Sequence, residues 1–223
     1  MARSRRTLGL VAGLAVLVLA VAGFGGWWLF IRDDAPSEAN DEAATETLDE
    51  AGDSGASGEA VEGEWTLDTS IGSFDDFTST WAGYRFQEEL ASVGTNTAVG
   101  RTPDVTGTMT VAGDEVTAVD VEVNLTTLKS DSGRRDNSLG TRGLESSQFP
   151  TATFSLTEPL ALPAGVASGE RVTAQAKGDL TIHGVTNEVT LDVDAELSGG
   201  AAAVVGQAAG RFEGGIGPRA RRE

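Results

Sequence analysis

KGDLTIHGVTNEVTLDVDAEL, residues 177–197, is the stretch that decides how the folded part of this 223-residue chain is read. In steps of two, Gly178, Leu180 and Ile182 share one face, while Asp179, Thr181 and His183 share the other. After a short break at residues 184–187 the alternation resumes. Val189, Leu191, Val193, Ala195 and Leu197 now oppose Thr190, Asp192, Asp194 and Glu196. Period-two alternation on both sides of a Gly- and Asn-containing break predicts an antiparallel hairpin with one buried face. The lone His183 stands beside the turn glycine. A hydrogen-bonding turn residue is its ordinary reading, and a ligand contact the alternative.

The same device recurs upstream. Val105, Gly107, Met109 and Val111 oppose Thr106, Thr108 and Thr110. A turn at Ala112-Gly113-Asp114 follows, and Val119, Val121, Val123 and Leu125 then alternate with Asp120, Glu122, Asn124 and Thr126. Ala152, Phe154 and Leu156 read as a further strand. Pro159, Pro163, Gly165 and Gly169 mark a loop, after which Val172, Ala174 and Ala176 lead into the hairpin. Trp65 and Leu67 suit a first strand. Residues 70–83 carry Phe74, Phe77 and Trp81 without clean alternation, as core under a loop or as a rim or plug at the open end of the apolar face. Residues 84–90 are ambiguous between strand and a turn of helix. The inward set (Met109, Val111, Val121, Val123, Phe154, Leu156, Leu180, Ile182, Leu191 and Val193) contains no charge.

Residues 129–150 interrupt the strands with polar sequence containing Arg134, Arg135, Asp136 and Arg142. One reading is a charged loop and helix crossing one end of the sheet, with Asp136 pairing an Arg and capping a helix start. The other is a cationic rim that meets lipid head groups or the polar end of a ligand.

Composition removes several functions. The net charge of −18 and pI near 4.3 argue against nucleic acid, whose phosphates need clustered Lys and Arg. Zero cysteines exclude a disulfide framework, a thiol nucleophile and Cys-ligated metal, and a single His excludes a multi-histidine metal site. No nucleophile–base constellation, phosphate loop or dinucleotide glycine pattern is present, so neither an enzyme nor a cofactor is expected.

Two segments precede the strands. Arg3, Arg5 and Arg6 lead into an uncharged run over residues 7–31 ending in Trp27, Trp28, Leu29 and Phe30. As a helix this run spans about 30 Å of hydrocarbon, with the Trp pair at one interface and the basic end cytoplasmic. Residues 1–31 are therefore expected to form a single-pass transmembrane anchor. A cleaved signal peptide ending near Ala20-Val21-Ala22 competes, but the apolar run continues past that point. Residues 32–63 read as a disordered, acidic tether rather than a recognition tail. Between Asp33 and Glu64 stand twelve carboxylates and no Lys or Arg, two thirds of the net charge.

The block GDLTIHGVTNEVTLDV resembles the signature hairpin of the YceI-like, polyisoprenoid-binding family. A second block, SDSGRRDNSLGTRGLESSQFPTATFSL (residues 130–156), resembles that family's other motif, an Arg-Asp pair followed by Phe-Pro and a strand. Both stand in the family's order and at about its spacing, and the resemblance covers roughly residues 64–197. It favours a strand over residues 84–90. It implies an all-β fold, an antiparallel lipocalin-like β-barrel over residues 64–198 with an apolar lumen. Family members often carry a His shortly after the Arg-Asp pair, where this chain has Ser138. Residues 199–223 turn Gly-, Ala- and Arg-rich, where the family needs one or two more strands to close its barrel. The expectation is an atypical, truncated or frame-shifted tail and a barrel incomplete at its end.

By this resemblance the ligand is a polyisoprenoid chain, of an isoprenoid quinone or a polyprenyl carrier. The ten inward residues form its lumen, and Arg134, Arg135, Asp136 and His183 form rim or motif positions. The domain is expected outside the cytoplasm, anchored to the bilayer or secreted after signal cleavage. The alternative function is a structural or stress-related envelope protein whose barrel is filled by its own side chains.

Overall fold

A computed structural model of the chain describes residues 35–36, 45–47, 61–75, 78–90, 94–198 and 201–208. The expected anchor over residues 1–31 and most of the acidic tether lie outside the described residues. No helix among the described residues is long and apolar enough to cross a membrane.

The chain divides into two compact units, Met1–Pro36 with Arg85–Val99, and Ser37–Tyr84 with Gly100–Glu223. Among the described residues eleven strands run in order: β1 (Gly63–Thr66), β2 (Ala82–Leu90), β3 (Gly94–Thr102), β4 (Val105–Ala112), β5 (Glu115–Asn124), β6 (Lys129–Ser130), β7 (Thr151–Leu156), β8 (Leu160–Ala161), β9 (Val172–Ile182), β10 (Val185–Ser198) and β11 (Ala201–Gln207). Residues 84–90, ambiguous in sequence, lie within strand β2. In the smaller unit Arg85 Nη1 donates to the Pro36 carbonyl at 2.5 Å.

The larger unit is built on one antiparallel sheet in the order β1-β4-β5-β7-β9-β10-β11, with β8 joined to β5. The registers confirm the alternation. Gly107 pairs with Val121, Val121 with Phe154, and Phe154 with Leu180, so one cross-strand row runs through four strands. Met109 pairs with Val119 and with Trp65 of β1. A bulge between Thr110 and Val111 brings Val111 opposite Val116, and both are buried. The opposite face is hydroxylic and acidic. Ser155 Oγ donates to Asp120 (2.7 Å), the Thr181 and Thr186 hydroxyls meet at 2.8 Å, and Gln175 donates to Asp192 (2.9 Å). Partition of apolar and polar side chains between two faces, rather than any single contact, fixes the register.

Phe154 is buried and its ring lies over Gly178. A Cβ at residue 178 would stand 2.4 Å from the ring and 2.5 Å from the Ser155 carbonyl oxygen. Glycine there is a packing requirement, with the aromatic ring occupying the space a side chain would fill.

Two expectations are corrected. The break expected over residues 184–187 is shorter: Ile182 pairs with Val185, leaving His183 and Gly184 as a two-residue turn with φ of 55° and 71°. Asn187 belongs to the ladder, opposite Leu180. The sheet also runs past residue 198. β11, drawn from the expected tail, pairs with β10 from Ser198↔Ala201 to Asp192↔Gln207. Its sequence, AAAVVGQ, has no polar–apolar alternation to betray it, and the ladder is made by main-chain groups that small residues supply as well as large ones. The fold is all-β and antiparallel: among the described residues no ladder joins β1 and β11, the two edges of the main sheet, and β2, β3 and β6 form a second, three-stranded sheet.

Candidate functional site: an apolar sheet face and the crossing at its end

The ten residues expected inside lie on one face of the main sheet. Val111 and Phe154 are buried, while Met109, Val121, Val123, Leu156, Leu180, Ile182, Leu191 and Val193 are half-buried. Leu156 pairs with Gly178, Leu191 with Ala176 and Val193 with Ala174, so small partners on β9 stand opposite larger side chains on its neighbours. No Asp, Glu, Lys or Arg points from this face between Val105 and Val193. Its only driving force toward a ligand is removal of apolar area from water, at about 25 cal/mol per Å². A separate cleft of about 290 Å³ opens on the polar face, lined by Asp104, Thr106, Glu122, Asn124, Thr126, Pro150 and Thr151. None of the ten apolar residues lines it.

Between β6 and β7 the chain crosses one end of this sheet. Ser130 pairs with Gly100 at its start, and the Pro150 carbonyl accepts from Leu125 N (2.8 Å) at its finish. Helix α1 (Gly133–Ser138) opens the crossing. Its N-cap is Ser132, whose hydroxyl accepts from Arg135 N, so the expected capping role does not fall to Asp136. Asp136 sits in the first turn and accepts from both the amide (2.9 Å) and hydroxyl (2.6 Å) of Ser130. Arg135 forms an ion pair with Asp131 and also reaches Ser130 Oγ (3.3 Å). Arg134 is exposed. The motif's Arg-Asp pair is therefore a clamp that closes the strand end onto the helix start.

A five-residue π-turn, Leu139–Gly143, follows. Leu144 N and Glu145 N then both donate to the Leu139 carbonyl (2.7 and 3.2 Å), and Glu145 turns left-handed with φ 47°. Among the described residues, Glu145 and His183 are the two non-glycine positions with positive φ, and they bind each other. His183 Nε2 and Glu145 Oε2 stand 2.7 Å apart. The Phe149 ring meets the imidazole edge-on, with centroids 4.7 Å apart. A Cβ on Gly184 would lie 2.7 Å from that ring. Left-handed backbone costs each non-glycine residue about 1 kcal/mol or more, so the surroundings must hold both.

Sequence reasoning passed over a second group at this end. Arg101, paired with Lys129, is 6% exposed and its guanidinium lies 4.0 Å from the Trp81 ring centroid, a cation–π contact. Trp81, left between core and rim by the sequence, is thus an arginine platform. On the other side of the strand the Tyr84 ring packs where a Gly100 side chain would be. Burial pushes the Tyr84 hydroxyl above its ordinary pKa. The signals for these contacts were faint: a lone Tyr, and a glycine two residues before a threonine. Among the described residues no three His, Asp or Glu side chains stand close enough to hold a metal ion.

Comparison with known proteins places the chain. No curated relative matches it. Among solved structures it is similar to a mutant Campylobacter jejuni YceI protein with a monobromobimane guest, at 20% identity and a TM-score of 0.38. That match covers 44% of this chain and 55% of the other. It is also similar to a polyisoprenoid-binding domain from Saccharophagus degradans implicated in plant cell wall breakdown, at 17% identity and a TM-score of 0.40. That one covers 52% of this chain and 63% of the other, so the chain spans less than two thirds of either relative. A family profile described as the YceI-like domain matches residues 65–216, from Trp65 through both motif blocks and past β11, and the chain belongs to the YceI-like family.

Proposed function

We propose that this protein is a non-enzymatic lipid binder, tethered to the outer side of a membrane, that lays a polyisoprenoid chain along the apolar face of its main sheet. Such a chain is that of an isoprenoid quinone or a polyprenyl carrier. The single observation that carries the reading is the uncharged row Val121–Phe154–Leu180, flanked by half-buried Met109, Val123, Leu156, Ile182, Leu191 and Val193. Membership of the family whose members are described as polyisoprenoid-binding supports the ligand class. The basic, uncharged and acidic runs over residues 1–63 support a bilayer anchor with a long tether, which keeps the binding face close to its lipid source.

The second reading is an envelope protein whose sheet is covered by its own side chains. It is favoured by Val111 and Phe154, whose side chains are buried by the chain's own packing. One experiment separates the two. The full chain is purified from membranes in detergent, extracted with organic solvent and analysed by mass spectrometry for prenyl lipids. A stoichiometric prenyl lipid is the expected result. A folded protein that carries none after exposure to isoprenoid quinone overturns lipid binding and leaves the filled sheet.

A further inference from the structure

We propose that Glu145 and His183 form a latch that fastens the crossing over residues 131–149 to the tip of the β9–β10 hairpin, and so governs entry to the apolar face from that end. The inference rests on the lipid-binding reading for its second half only. The crossing is fixed at both ends, by the Ser130–Gly100 pair and by Leu125 N to Pro150 O, while its middle is held by side chains. The contact that joins this middle to the hairpin tip is the 2.7 Å bond between Glu145 and His183, buttressed by Phe149 against Gly184. Ala152 and Ile182, each one residue from the Thr153–Thr181 pair, mark where the apolar face meets this end. A crossing that lifts here uncovers that end of the face.

Backbone conformation separates a latch from an ordinary turn. A two-residue hairpin loop with positive φ at both positions prefers Asn before Gly. Histidine at residue 183 is a poorer turn former, yet it supplies an imidazole long enough to reach Glu145. Glu145 is likewise left-handed without being Gly or Asn. Both partners hold a disfavoured backbone at the one place where their side chains meet, the pattern of a device that can exist in two arrangements.

The test replaces each partner with the residue its backbone prefers. Glu145→Asn and His183→Asn keep the left-handed conformation and remove the bond. Amide hydrogen exchange is followed on the full chain in detergent micelles. Quinone entry is followed by stopped-flow quenching of tryptophan fluorescence, using a two-isoprene benzoquinone delivered from phosphatidylcholine vesicles. Either variant should speed exchange within residues 133–149 by about tenfold, the loss of one hydrogen bond to a charged group, while amides of β5, β7 and β9 keep their protection. Quinone entry should quicken several-fold at unchanged saturation, and the double variant should add nothing to either single one. Three results overturn the latch: exchange unchanged, exchange raised equally across the sheet, or a tighter crossing in His183→Asn. Faster exchange with unchanged entry overturns the gating role. A parent protein that takes up no quinone removes the lipid reading and the gating half with it, while exchange still decides whether the bond holds the crossing.

Discussion

The β9–β10 hairpin and the crossing between β6 and β7 are neighbours in space and opposites in construction. The hairpin is written locally: each residue from Val172 to Ile182 meets its partner through a two-residue turn, and apolar positions alternate along both strands. The crossing carries few apolar side chains, Leu139, Leu144 and Phe149, all half-buried. It holds its path through polar bonds to Ser130, Asp131 and His183 and through one helix cap. Stability that comes from area is spread over many residues, whereas stability that comes from bonds is concentrated in a few. Substitutions should therefore act differently on the two, and the contrast can be broken by experiment.

The largest effect is expected where the sheet packs. Phe154→Ala removes a buried ring in contact with Gly178 and should cost about 4 kcal/mol, seen as a lower urea midpoint with unchanged slope. Gly178→Ala pushes a methyl into that ring and the Ser155 carbonyl, and should cost about 2 kcal/mol. In the double variant Gly178→Ala, Phe154→Ala the loss should fall short of the sum, because the methyl then clashes only with the Ser155 carbonyl and not with the ring. Asp136→Ala strips two bonds from Ser130 and should cost about 1–2 kcal/mol, with faster amide exchange in residues 131–138 and little change in β9. An Asp136→Ala loss as large as that of Phe154→Ala, or one spread through the hairpin, would erase the contrast between the two regions.

The smallest effect is a titration. Tyr84 is the only tyrosine in the chain, so ultraviolet absorbance of tyrosinate reports it alone. Burial raises its pKa above the ordinary 10.0, so the folded state keeps its proton where the unfolded chain has lost it. Stability is then fully present below pH 10 and falls as pH rises toward the folded pKa. Tyr84→Phe should abolish that alkaline loss. A midpoint for Tyr84 at or below 10 would mean that its ring is not packed on Gly100 beside the Ser130 knot.

Much of the sheet was legible because period-two alternation is a one-dimensional signal. The strand faces of Met109, Val121, Phe154 and Leu180 follow from parity alone, and the registers bear them out. β11 was illegible for the same reason: AAAVVGQ carries no alternation, and its ladder consists of backbone groups that every residue possesses. The turn was placed too late because Val185 and Asn187 look like loop residues between a glycine and the next clean alternation. At the site, Asp136 was singled out with the wrong partners. Arg135 turned out to pair with Asp131 and the cap with Ser132, both within reach of local rules but not distinguishable by them.

The sequence by itself determined which face of β4, β5, β7, β9 and β10 is apolar, where charge is excluded on them, and that a polar segment must interrupt the strands between residues 129 and 150. These follow from composition and spacing, which every fold of this chain must respect. Only the tertiary structure decided that residues 201–207 add a strand beside β10, that Arg101 lies on Trp81, and that Glu145 meets His183 across 38 residues of chain. Such contacts depend on how far strands twist and where a crossing lands. The local signals of sequence do not encode distances between side chains that only the packed sheet brings together.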